Sequence, residues 1–104
     1  MPLPPQSDHR VTRAEAAEFV RRQREAAGKG DEVCGFFFRK PVEELLAQKG
    51  CAGIRIYNGR NEKGGPAMVL VGVDEAGNDM AEGVVLERHY PCPPFCDESG
   101  LLTG

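Results

Sequence analysis

The stretch Ala67-Met-Val-Leu-Val-Gly-Val73 constrains this chain more than any other. It carries no charge, and an extended backbone would place apolar groups on both of its faces. At this length it falls far short of the roughly 18 apolar residues of a membrane helix. It therefore reads as a central strand, with neighbours on both sides and cover above and below. Two neighbours are at hand. Ala52, Ile54 and Ile56 alternate with Gly53, Arg55 and Tyr57, the period of a half-buried strand. Val84, Leu86 and Tyr90 alternate with Glu87 and His89 in the same way. The connections are short, a Gly-rich stretch from Asn58 to Pro66 and a turn from Asp74 to Asp79, so the three strands should form an antiparallel meander.

Upstream the period changes. Thr12 is a good N-cap, and Glu15 three residues later completes a capping box. Ala16, Phe19, Val20 and Ala27 share a helical stripe, Arg13, Arg21, Arg22 and Arg24 lie mostly outside it, and Gly28 and Gly30 end the helix. A second, shorter helix is expected with Pro41 at its first position, Glu43 and Glu44 near its positive end, Val42, Leu45 and Leu46 as its buried edge and Gly50 at its stop. Between the helices, Cys34-Gly-Phe-Phe-Phe38 packs three aromatics into one run, with an extra edge strand expected near Gly35–Phe38. The three cannot all face one side, so one is left for the surface or a subunit contact.

The expected fold class is α+β: two N-terminal helices packed on a small antiparallel sheet of about three strands, followed by an irregular Cys/Pro-rich tail. Residues 1–10 form a Pro-rich arm, because Pro2, Pro4 and Pro5 favour extended backbone. Residues 11–96 form one domain and 97–104 a tail. With 104 residues, 40% of them apolar, there is material for one core. No signal-peptide pattern opens the chain, so the expected compartment is the cytoplasm, where thiols stay reduced. Nucleic acid is not an expected partner, since the chain is acidic overall and its arginines lack aromatic interleaving; nor is a membrane.

Four cysteines concentrate the chemistry. His89-Tyr-Pro-Cys-Pro-Pro-Phe-Cys96 has an H-x2-C-x3-C spacing, and Cys51 or Cys34 could supply a fourth ligand to zinc, which takes four N or S donors in a tetrahedron. Cys51, His89, Cys92 and Cys96 are thus the candidate metal set. The simpler reading of the same cysteines is as buried small hydrophobes, and a Cys92–Cys96 or other disulfide stands beside zinc as the alternative. Other constellations are poor. Serine occurs at Ser7 and Ser99 alone, both in the terminal segments. His89 near Cys92 lacks a third, orienting residue. Asp74, Asn78 and Asp79 lack the spacing and distal glutamate of a calcium loop. Gly64-Gly65 lacks the strand–glycine–helix setting of a phosphate loop.

Leu45-Leu-Ala-Gln-Lys-Gly-Cys-Ala-Gly-Ile-Arg-Ile-Tyr57, Val71-Gly-Val-Asp-Glu-Ala-Gly-Asn-Asp79 and Pro91-Cys-Pro-Pro-Phe-Cys96 together resemble a family of small bacterial proteins with no established activity. The resemblance spans residues 12–98. It implies that Cys51, Cys92 and Cys96 belong to a recurring design, with Cys34 outside it, and it implies no function.

The first functional expectation is a non-enzymatic interaction or structural protein that self-assembles into a homo-oligomer or filament, without a cofactor. A small domain buries a low fraction of its surface and gains from neighbours. Twelve of the thirteen Lys/Arg fall in residues 1–63 beside nine acids, whereas residues 64–104 carry Arg88 against seven acids. Such polarity suits a head-to-tail contact. Phe37, Phe95 and Leu101 are the candidates for its apolar part, and Arg21, Arg22, Asp97 and Glu98 for its charged part. The alternative is a small zinc-binding or thiol-redox module built on the C-terminal cysteines. An enzyme ranks third.

Overall fold

The computed structural model of the chain describes residues 2–28, 31, 34–98 and 100–102. Gly30 and Ser99, singled out above, lie outside the described residues. Among these residues two helices and five strands follow one another: α1 Arg13–Ala26, β1 Cys34–Phe36, α2 Arg39–Leu46, β2 Cys51–Arg60, β3 Pro66–Asp74, β4 Val85–Leu86 and β5 Tyr90–Cys92. All strand pairs are antiparallel, in one sheet of order β2-β3-β4 and a second of order β1-β5. The architecture is α+β. The chain gathers into two compact units, residues 2–5 with Phe37–His89, and the described residues of Gln6–Phe36 with those from Tyr90 onward.

The first unit is built on β3. Its apolar run places Leu70, Val71 and Val73 in the core, as a strand flanked on both edges should. β2 pairs with it from Cys51 opposite Asp74 to Arg60 opposite Pro66, with one register shift between Cys51 and Gly53. The connection is tightened by Asn61, whose side-chain oxygen accepts from the backbone of Lys63 and of Gly65, each at 2.9 Å. On the other edge, Leu86 stands opposite Leu70 and Val85 opposite Val71. The alternation along β2 is present, but its phase exposes Ala52, Ile54 and Ile56, while Cys51, Gly53 and Arg55 are half-buried.

α2 packs against β2, β3 and β4. Leu45 is its anchor, with 0% of its surface exposed. The helix begins at Arg39, so Pro41 occupies the third position and not the expected first. Proline is tolerated there because the first helical N–H groups have no intrahelical acceptor. Gln48 stitches the helix end to the sheet: its amide donates to Leu45 O, and its carbonyl oxygen accepts from Val84 N, each at 2.8 Å. Gly50 follows with φ +83°, a left-handed conformation that a side chain would strain.

Gly72 permits this packing. A Cβ there would stand 3.0 Å from Gln48 Nε2, 3.2 Å from Cys51 Sγ and 3.4 Å from Met80 Sδ. Gly72→Ala is therefore expected to destabilise the protein by about 1–3 kcal/mol through overpacking. Urea denaturation measures this, and a variant as stable as the wild type would show that Gln48 gives way freely.

Further features depart from the sequence expectation. The third strand was expected to run from Val84 to Tyr90, with an irregular tail from Pro91. Instead, β4 ends at Leu86, and Arg88 beyond it adopts φ +63°, a conformation uncommon outside glycine. The residues beyond it form β5, which pairs with β1 in a separate sheet. The expected edge strand near Gly35–Phe38 is thus present as β1, shifted to Cys34–Phe36 and paired with the supposed tail. The expectation of two helices covering one sheet holds for α2. α1 belongs to the second unit, and none of its residues is buried. Its capping box forms as anticipated: Thr12 Oγ1 accepts from Glu15 N and Glu15 Oε1 accepts from Thr12 N, both at 3.1 Å.

Candidate functional site

The Cys/Pro segment becomes ordered by closing on itself. Phe95 N donates to Pro91 O at 2.9 Å and Cys96 N to Pro94 O at 3.0 Å, which turns the chain within five residues. The turn sets Cys92 and Cys96 with Cα atoms 4.9 Å apart, and the two are joined in a disulfide. That spacing is ordinary for a bridge. The Phe95 ring meets Tyr90 edge-on at 5.1 Å, a favoured aromatic arrangement that braces the loop against its own strand. β5 carries Cys92 into the strand pair, where Cys34 is opposite Cys92, Gly35 opposite Pro91 and Phe36 opposite Tyr90. Cys92 is 2% exposed, Cys96 half-exposed and Cys34 exposed.

The other candidate ligands lie in the first unit. Cys51, half-buried, donates its thiol to Gly53 O at 3.3 Å. His89 is nearly enclosed: its Nδ1 lies 2.6 Å from Glu87 Oε1, its backbone N–H donates to the same oxygen at 2.9 Å, and its ring lies 6.1 Å from that of Phe37. Glu87 Oε2 accepts from Met68 N. Burial pushes the Glu87 carboxyl upward in pKa, but the His89 backbone, the His89 ring and the Met68 backbone outweigh it, and the pKa lies below the usual carboxylate range. With Glu87 ionised, Nδ1 is the atom that carries the proton. This carboxylate also explains the strand break. It takes the donor of β3 just past the last β4 pair and reaches over Arg88 to hold His89 N, which turns the chain at Arg88.

Among the described residues no three His, Cys, Asp or Glu side chains gather as a metal-holding group. Zinc takes thiolates, so Cys92 and Cys96 can serve as ligands once their bridge is reduced.

A second polar cluster spans β3. Arg55 Nη1 pairs with Asp79 Oδ1 at 2.5 Å and also donates to Gly77 O at 3.3 Å, and Tyr57 donates its hydroxyl to Asp79 Oδ2. Arg55 and Tyr57 are two apart on one face of β2, and Asp79 forms a bridge with Val73 on the far edge of β3. The cluster thus crosses the face over Val71 and Val73. The Tyr57 hydroxyl, then Arg55, hold the Asp79 carboxyl below its ordinary range, and Asp79 in turn raises the Tyr57 phenol. The turn before Asp79 is closed internally: Asp74 Oδ1 accepts from Ala76 N at 3.0 Å and Asn78 N at 2.9 Å, as an Asx turn does.

Arg21 is paired with Glu18 and Glu25, and Arg22 with Glu18, all within α1. Phe37 is half-buried beside His89, whereas Phe95 and Leu101 are exposed apolar groups, and Asp97 and Glu98 are exposed. Sequence reasoning did not single out the Arg55–Tyr57–Asp79 cluster or the role of Glu87. The period-2 placement of Arg55 and Tyr57 was the available signal for the first. Nothing local signals the second, since Met68 is distant in the chain.

The chain matches no protein-family model, no curated protein and no solved structure. No helix among the described residues is long and apolar enough to cross a membrane.

Proposed function

We propose that this protein is a non-enzymatic interaction module that associates with copies of itself through the outer edge of β2. The observation that carries this reading is the pairing of an open backbone edge with exposed apolar side chains. β2 is a ten-residue edge strand, and Ile54 and Ile56 are exposed on it, Ile56 at 55%. Edge strands are usually guarded by charge. Here the central charge, Arg55, is turned to Asp79 across the sheet. Fourteen large apolar residues are exposed among the described ones, Ile54 and Ile56 among them. Antiparallel addition of a second copy about a twofold axis at Ile56 sets the two Ile56 side chains against each other and extends the sheet through backbone hydrogen bonds. No cofactor is needed for such a role.

The charged head-to-tail contact expected from the sequence is the weaker part of this reading. Arg21 and Arg22 already have acidic partners on their own helix. Salt is therefore expected to change assembly little, and Arg21→Glu with Arg22→Glu less than an edge substitution.

Ile56→Lys is the test. Light scattering at high protein concentration should show the wild type above monomer mass and the variant at or near monomer mass, with unchanged circular dichroism. A monodisperse wild-type monomer in both low and moderate salt would overturn the reading.

A further inference from the structure

Cys92 has two sulfur partners within reach. One is Cys96, to which it is bonded. The other is Cys34, its direct opposite in the β1–β5 pair. Directly opposed residues of antiparallel strands project to the same side, with Cα atoms about 4.5–5.5 Å apart. Disulfides span Cα separations of about 4.4–6.8 Å. The register therefore sets the Cα atoms of Cys34, a free cysteine, and Cys92 at a separation that a disulfide can span.

We propose that Cys34, Cys92 and Cys96 form a thiol–disulfide exchange centre in which Cys34 and Cys96 compete for Cys92. The Cys34 thiol gives its proton to solvent, and the thiolate attacks Cys92 Sγ. The Cys34–Cys92 bond forms as the Cys92–Cys96 bond breaks. Cys96 departs as a thiolate with the bonding electron pair and takes a proton from solvent. One disulfide and one thiol are present before and after, so the step needs no outside oxidant.

Exposure assigns the roles. The shared sulfur belongs to Cys92, which is shielded in the strand pair, while Cys34 and Cys96 are the outer groups. Each isomer presents a different outer thiol, Cys34 when the loop is bridged and Cys96 when the strands are bridged. An exchange partner, a second protein's thiol or disulfide, thus meets one of two reactive groups according to the isomer. The centre is independent of the self-association proposed above, since it involves β1 and β5 and not β2.

The test is peptide mapping of the full-length protein. The chain is held at pH 8.5, where thiolate forms readily, then quenched in acid, alkylated and digested with trypsin. Cleavage after Arg39 and Arg88 leaves Cys92 and Cys96 in one peptide and Cys34 in another. Both the internal bridge and a Cys34–Cys92 cross-linked peptide are expected, the minor form within about tenfold of the major, which corresponds to about 1.4 kcal/mol. Cys34→Ser should retain the internal bridge alone. A wild type with Cys34 wholly alkylated and the internal bridge alone would overturn the proposal. In Cys96→Ser, glutathione disulfide should react first with Cys34, after which Cys92 displaces glutathione, giving the Cys34–Cys92 bridge and two reduced glutathiones. Glutathione left on Cys34 or Cys92, or a bridge to Cys51, would equally overturn it.

Discussion

Leu45→Ala is expected to destabilise the protein by about 2–5 kcal/mol, the range for truncating a fully buried leucine. Among the described residues Leu45 is the side chain the structure encloses completely, on the helix that packs against β2, β3 and β4. The buried apolar residues of the first unit are Leu45, Leu70, Val71 and Val73, so few other contacts can absorb the cavity. Small domains have about 5–15 kcal/mol of total stability, and one this thinly cored belongs near the lower end. The melting temperature should fall by about 10 °C or more. Two controls make the effect specific. Leu45→Met conserves volume and should cost less than about 1.5 kcal/mol. Leu46→Ala, at a neighbouring position that is 45% exposed, should cost far less than Leu45→Ala. A Leu45→Ala variant within about 0.5 kcal/mol of the wild type would show that the core is not organised around α2, since that range is usual for surface changes.

Glu87→Gln should be nearly as damaging. The carboxylate accepts from Met68 N, His89 N and His89 Nδ1, and it fixes the turn at Arg88. Glutamine offers one acceptor oxygen and no charge, so at least one donor beside a nearly enclosed imidazole loses its partner. Hydrogen bonds to charged groups contribute about 1.5–3 kcal/mol each, which puts the expected loss at about 2–4 kcal/mol. The pH dependence has a definite sign. The folded Glu87 pKa lies below its unfolded value, so its contribution is complete above the ordinary carboxylate range, about 4.3, and is lost as pH falls through the lower folded value. Asp79, also lowered, acts in the same direction. Urea denaturation between about pH 3 and pH 7 should show wild-type stability falling with acid and a shallower fall in Glu87→Gln. Identical slopes would mean that Glu87 is not ionised through these contacts.

The elements readable from sequence were those fixed by local chemistry. Thr12 and Glu15 meet within one helical turn, and the apolar run around Leu70 admits one placement. The turn at Asp74 depends on a side chain bonding to backbone two and four residues on. What escaped was decided by residues far apart in the chain. The period-2 pattern through Val84, Leu86 and Tyr90 is real, but Glu87 bonds to Met68 and breaks it, and no local pattern encodes that partner. The phase of β2 was inverted by the same kind of cause, since Arg55 is drawn inward by Asp79. At the cysteines the spacing of Cys92 and Cys96 allowed a bridge or a metal, and the turn geometry that joins them is a property of the folded loop. That Cys34 faces Cys92 could not be read at all, because register between distant strands leaves no mark on composition.

The pairing of Phe36 with Tyr90 has a consequence for the order in which the chain folds. Those residues bracket the stretch 37–89, which holds α2 and the β2–β3 hairpin, elements joined by short connections. Local hairpins form in microseconds, whereas pairing β1 with β5 requires closing a loop around the entire stretch. The entropy of that closure is smaller once the enclosed residues are already compact. Hydrogen-exchange labelling during refolding should therefore protect β2 and β3 amides before those of β1 and β5. A nascent chain exposes Cys34 before Tyr90–Cys92 have been made, so its thiol stands unopposed until its cross-strand neighbour follows it out.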